Sequence, residues 1–328
     1  NEIEIDLDKI TNLDLYKLNL INNKKVDFSK YINSESEIEL QLFYVKSEIN
    51  SNLNKIALTE NLLSRGIIES SILAKTYEKH LTENIIQEEF DFSDLESDFE
   101  KRALLYNKIR KTSNQSELIP LLSAYVTHMG NANLLINSAN LIYDKIKIIV
   151  PKQEYKDQAA HVCLLLLLND DIDQCKKWLS NLNFIKGTEE IKSKIRLYLS
   201  LSENTNRFNK EDINLLLSNK ELSENKKNVI AKYAELRNNL KLAEYWKSKN
   251  ELDKISTLVS NIKLAEYLKS IPIQNKGEMI LLISLIHGNN NTDMLDQHSL
   301  FLILESLNKL NPFYLDSFVF EYLAHNPI

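Results

Sequence analysis

The residues of this 328-residue chain best placed for chemistry are one histidine and two cysteines: His161, Cys163 and Cys175. A metal site would need them to converge. His161 and Cys163 lie two positions apart, roughly 200° around a helix, and so point to opposite sides. The cysteines sit twelve residues apart and straddle the turn Asn169-Asp170-Asp171 almost symmetrically. In an antiparallel helix pair such residues face each other. Two readings stay open for them: small core residues that let the helices approach closely, or a disulfide across the hairpin in an oxidising compartment.

The other candidates are weaker. The run NDDID (Asn169 to Asp173) looks like an acidic magnesium cluster, but Gln174 stands where the last acid should be. It reads instead as a helix N-cap with acids in the first turn, which suit the macrodipole. The densest acidic stretch, EEFDFSDLESDFE (Glu88 to Glu100), is either a solvated connector or a docking segment. In the second case Phe90, Phe92, Leu95 and Phe99 anchor a basic partner that the acids steer. It lacks the central glycine of a calcium loop. His80, His128, His161, His287, His298 and His325 are scattered, and the chain carries no HExxH, GxSxG, P-loop or GxGxxG pattern. Glu278 or Glu305 could be offered only as a lone acid. No catalytic residue, cofactor site or metal site is assigned.

Composition narrows the class. The chain is 43% hydrophobic and 26% charged, with only five glycines and five prolines. So little Gly and Pro argues against β-sandwiches and glycine-rich nucleotide loops. A net charge of −6 with interspersed signs disfavours a nucleic-acid binder, which needs a concentrated basic face. No apolar run reaches the ~18 residues of a membrane span, so no integral membrane segment is expected. The chain begins at Asn1 rather than Met and reads as trimmed. With the opposed cysteines, this tilts the expected compartment slightly towards export, periplasmic rather than cytoplasmic.

These residues must be positioned by helices. Residues 1–33 form a polar lead, expected to be extended or disordered. From Ser34 a 3.6-residue periodicity takes over, with Ser34 and Glu37 as a capping box. One helix of about 30 residues is expected to run from 34 to 65 and stop at Gly66. Beyond it, apolar-periodic segments of 9–17 residues alternate with short polar linkers to the final PFYLDSFVFEYLAH, which is expected to cap the array. This pattern predicts an all-α fold of antiparallel hairpins, with 34–328 as a single domain.

The hairpins have a period. The Cys163/Cys175 geometry recurs at Ala231/Ala243, and again at Thr127/Ala139. A tryptophan follows the second small residue by three positions in two units, at Trp178 and Trp246. Those units are 68 residues apart, twice 34, and the Thr127 unit precedes the Cys163 unit by 36. Helix, turn, helix, with small residues twelve apart across the turn and a period near 34, resembles the tetratricopeptide repeat (TPR). The resemblance is greatest over 120–250. The intervening unit, 191–218, departs from it by carrying Asn209 where a small residue is expected. The segments RGIIESSILAKTYE (65–78) and RALLYNKI (102–109) are similar to parts of uncharacterised helical-repeat proteins from alphaproteobacteria, which carry no activity to transfer.

The resemblance implies a TPR-like α-solenoid whose concave face is a binding surface. The expected function is therefore a non-enzymatic scaffold or adaptor for a protein or peptide. The alternative is an enzyme or small-ligand carrier with its site in the superhelix hollow. The paired stretches KLAEYWKS and KLAEYLKS (241–248 and 263–270) are read as second helices of successive hairpins. Ala243 and Ala265 then hold equivalent close-packing positions on separate helices.

Overall fold

The computed structural model describes residues 32–46, 53–84, 97–203, 205, 208–238, 297–325 and the single positions 242, 245, 246, 279, 280, 283 and 327, with backbone alone at several of them. Residues 1–31 of the polar lead and both Ala243 and Ala265 lie outside these residues. The fold is all α, and the described residues contain no strand. The chain divides into two compact units, residues 1–111 and 112–328.

In the first unit α1 (Ile38–Lys46), α2 (Leu53–Ser64), α3 (Ser70–Asn84) and α4 (Asp98–Lys111) pack against their neighbours. The expected 30-residue helix is not continuous. Helices α1 and α2 pack against each other, whereas their nearest ends, seven residues apart, would stand about 10 Å apart on one unbroken helix. The expected Ser34–Glu37 box is also replaced. Asn33 Oδ1 accepts the Glu35 N–H at 2.9 Å, and Gln41 Nε2 donates to the Ser34 and Ser36 carbonyls. Gly66 does end α2. At φ 67 it closes a Schellman turn, with Gly66 N–H on the Leu63 carbonyl and Ile67 N–H on that of Leu62.

One buried cluster ties three of these helices together. Arg102 on α4 clamps Glu60 on α2 through Nε to Oε1 (3.0 Å) and Nη2 to Oε2 (2.6 Å), and Tyr77 on α3 donates to Oε1 at 2.6 Å. Burial pushes the Glu60 carboxyl above its ordinary value, while the Arg102 hydrogen bonds and charge pull it back.

The second unit begins with α5 (Gln115–Asn131), capped by Asn114 Oδ1 on the Ser116 N–H. Its return strand of helix is segmented into α6 (Leu135–Ser138), a 3₁₀ turn (Ala139–Ile142) and α7 (Tyr143–Ile146). A 3₁₀ turn (Gln153–Gln158) leads into α8 (Ala159–Leu167). Then follow α9 (Ile172–Leu182), α10 (Glu189–Glu203), α11 (Lys210–Ser218) and α12 (Glu224–Asn238), with α13 (Gln297–Leu310) and α14 (Pro312–His325) last. The α8 sequence AAHVCLLLL is apolar all round except for His161, and every other residue of it is buried. Such a helix must be enclosed, and it packs against α5, α7, α9 and α10. As the sequence indicates, Asp171 caps α9, its Oδ1 accepting the Gln174 N–H at 3.2 Å.

Two features depart from the repeat pattern. Asn209 is not a failed close-packing residue. It caps α11 in a capping box with Asp212, whose buried carboxylate also takes Ser193 Oγ (2.8 Å) and Arg196 Nη1 (2.6 Å) from α10. The final helix also does more than close the array. Helix α14 packs on α5, α6, α10, α12 and α13, burying Leu315, Val319, Tyr322, Leu323 and Ala324. Its Asp316 is held on α12 by Arg237 Nε (2.9 Å), Arg237 Nη2 (2.8 Å) and the Tyr233 hydroxyl (2.8 Å).

This return explains Gly130. The α5 helix turns at Asn133, at φ 57, rather than at the glycine. Gly130 instead admits the chain end: a Cβ there would lie 2.8 Å from Pro327 Cδ and 3.0 Å from the His325 carbonyl. Gly130→Ala should therefore lower stability by about 1–3 kcal/mol, the cost of overpacking. Urea unfolding would measure it. A variant as stable as the parent would show that the contact is loose.

Candidate functional site

Helix α8 lies between α5 and α10, and each of the three carries a half-buried polar residue where they meet. Ser123 on α5 places its Oγ 2.6 Å from Nδ1 of His161 on α8. Lys194 on α10 is near enough for its charge to act on the imidazole. Its ammonium pairs with Glu190 at 3.1 Å, and Glu190 accepts Asn219 Nδ2 at 2.6 Å. The result is a row of polar residues, Ser123, His161, Lys194, Glu190 and Asn219, across three helices and the residue that follows α11, in which His161 and Lys194 are related by charge alone.

A serine against a histidine invites a nucleophile reading, but the electrostatics oppose it. Burial, and then the Lys194 charge, lowers the His161 pKa from 6.5 to about 4. A base that weak at neutral pH is poorly matched to taking a serine proton. The triad arrangement places a carboxylate behind the imidazole to stabilise the imidazolium; here the charged neighbour is an ammonium. The imidazole is thus held neutral, as a fixed hydrogen-bonding group. Among the described residues, no group of three or more His, Cys, Asp or Glu could hold a metal ion.

No protein family, curated protein or solved structure matches this chain. The likeness to helical repeats therefore rests on the chain's own spacing and packing.

The other residues singled out in the sequence fall in different places. Cys163 and Cys175 are free thiols, both fully buried, on facing helices. Ala139 and Ala231 are fully buried, and Trp178 is 2% exposed. Thr127, by contrast, is exposed, its hydroxyl bonded back to the Ser123 carbonyl. Trp246 is half-buried: its indole N–H donates to Glu235 at 2.7 Å and its ring meets Phe301 edge-on. Of the acidic segment, Phe90, Phe92 and Leu95 lie outside the described residues. Phe99 sits in the first turn of α4 with the Arg102 guanidinium 5.0 Å above its ring. Glu305, one of the lone acids, is paired with Lys232 at 2.5 Å.

Sequence reasoning weighed His161 only as a metal ligand and passed over Ser123 and Lys194. The signal available was the period. These residues stand 38 and 33 positions apart, bracketing the repeat length, so they fall at similar levels on neighbouring helices.

The His161 environment has a pH consequence. Its folded pKa lies below its unfolded value, so the unfolded chain binds the extra proton first. Stability is complete above pH ~6.5 and falls as pH drops towards 4, by at most about 3 kcal/mol. His161→Gln should flatten thermal stability over that window. An unchanged slope would place the loss on other groups.

Proposed function

We propose that this chain is a non-enzymatic scaffold, a degenerate TPR-like stack of helical hairpins that holds a protein or peptide. The binding surface is the face of α5, α8 and α10 that carries Ser123, His161 and Lys194. One observation supports this above others: Ser123, His161 and Lys194 are half-buried side by side where α8 meets α5 and α10, whereas each deeply buried carboxylate in the clamps is already taken by an arginine and a hydroxyl. Such a row offers fixed donors and acceptors at the spacing of neighbouring helices, which suits an extended chain laid across them. Repeat proteins bind along extended surfaces of this kind.

The neutral His161 favours recognition over acyl transfer, so the enzyme alternative has less support. The test compares two baits in affinity capture from the native host: the parent chain and Ser123→Ala/His161→Ala/Lys194→Glu. Each bait is first checked for equal helicity and melting temperature. A partner retained by the parent and depleted at least tenfold by the triple variant is expected. Equal retention by both baits would move the binding surface elsewhere.

A further inference from the structure

Cys163 and Cys175 are the two cysteines of the whole chain, and the polar line described above uses neither. Their helices are brought together by features independent of sulfur. The Asp171 N–H returns to the Leu166 carbonyl at 2.9 Å and the Asp170 N–H to that of Leu167 at 3.1 Å. Asp170 takes a left-handed φ of 58, and Asp171 caps α9. Within this fixed hairpin Cys163 Sγ lies 3.9 Å from the Cys175 carbonyl oxygen, and the two thiols are near enough to act on one another electrostatically. Both are 0% exposed. A facing thiol pair has the capacity to cross-link.

We propose that Cys163 and Cys175 are a latent disulfide, closed when the chain folds in the presence of a disulfide oxidant and left as two thiols when it folds under reduction. With glutathione disulfide as the oxidant the step balances as two exchanges. One cysteine, having lost its proton, attacks the oxidant, forming a mixed disulfide and expelling one glutathione thiolate. The second cysteine, also deprotonated, attacks the protein sulfur of that mixed disulfide. The S–S bond forms, the second glutathione leaves, and both electrons and both protons end on the two released glutathione molecules.

Burial sets when this can happen. A fully enclosed Sγ leaves no room for a tripeptide adduct, and burial pushes the Cys163 thiol well above its usual range, so thiolate is scarce in the folded state. Exchange therefore requires an open hairpin. The finished fold keeps whichever state it was made in, and the bond would pin α8, which carries His161, to α9. Closing so short a loop should raise Tm by about 5–10 °C.

The experiment refolds reduced, denatured protein in an excess of oxidised over reduced glutathione. Samples are quenched with iodoacetamide and weighed intact. The expected product has lost two hydrogens and carries neither glutathione nor alkyl groups. The same buffer applied to folded, reduced protein should close the bond at least tenfold more slowly. Cys175→Ser, refolded alike, should stop at a glutathione adduct on Cys163 or a free thiol. Refolded parent protein that keeps two alkylatable thiols or stable glutathione adducts would overturn the proposal. So would closure as fast in the folded protein as during refolding.

Discussion

The structure depends on carboxylates buried between helices and clamped by arginine. Glu60, Asp212 and Asp316 are each nearly inaccessible to water. Each receives an arginine and a hydroxyl: Arg102 and Tyr77, Arg196 and Ser193, Arg237 and Tyr233. Taking a carboxylate out of water costs several kcal/mol, and only well-aligned donors offset it. A helix displaced by one turn would leave the charge unpaired. The clamps therefore act as register pins on surfaces otherwise lined by Leu and Ile, which tolerate sliding. In the second unit the Asp316 clamp matters most, because α14 touches helices from across that unit and anchors there through a single carboxylate. Burial, and then the nearby Asp316 charge, keeps the Tyr233 phenol protonated far above its ordinary pKa, so its donated hydrogen bond persists at any physiological pH.

This arrangement leaves the polar line of α5, α8 and α10 with a different character. Ser123, His161, Lys194 and Glu190 are half-buried rather than enclosed, and their ion pair, Lys194–Glu190, is partly solvated. Removing any one of them leaves no deeply buried charge stranded. That distinction between pins and surface is what lets these residues be replaced without stranding a buried charge.

Local signals were legible in the sequence, and long-range ones were not. The 3.6-residue periodicity marked most helices, Gly66 marked a left-handed stop, and Asp171 marked a cap, because each is decided within a turn or two of chain. The symmetry of Cys163 and Cys175 about a three-residue turn likewise fixed which helices face each other. The break between α1 and α2 went unread because apolar spacing continues in phase across it. Asn209 stands where a small residue is expected because it caps α11, a role that the 34-residue spacing does not reveal. The clamps themselves join residues 42 and 79 positions apart. No periodicity relates Glu60 to Arg102, and a single arginine or aspartate in a charged helix gives no sign of being turned inward. The return of α14 across earlier helices was hidden for the same reason.

A double-mutant cycle at Glu60 and Arg102, read by denaturant unfolding, tests the clamp account most directly. Arg102→Met alone should cost about 3–5 kcal/mol, because it strands a buried carboxylate. Glu60→Met with Arg102→Met should cost less than that single change, giving a coupling energy above about 2 kcal/mol. Two single changes that each cost under about 1 kcal/mol and simply add would contradict the account, and would return the stability of this fold to its apolar packing alone.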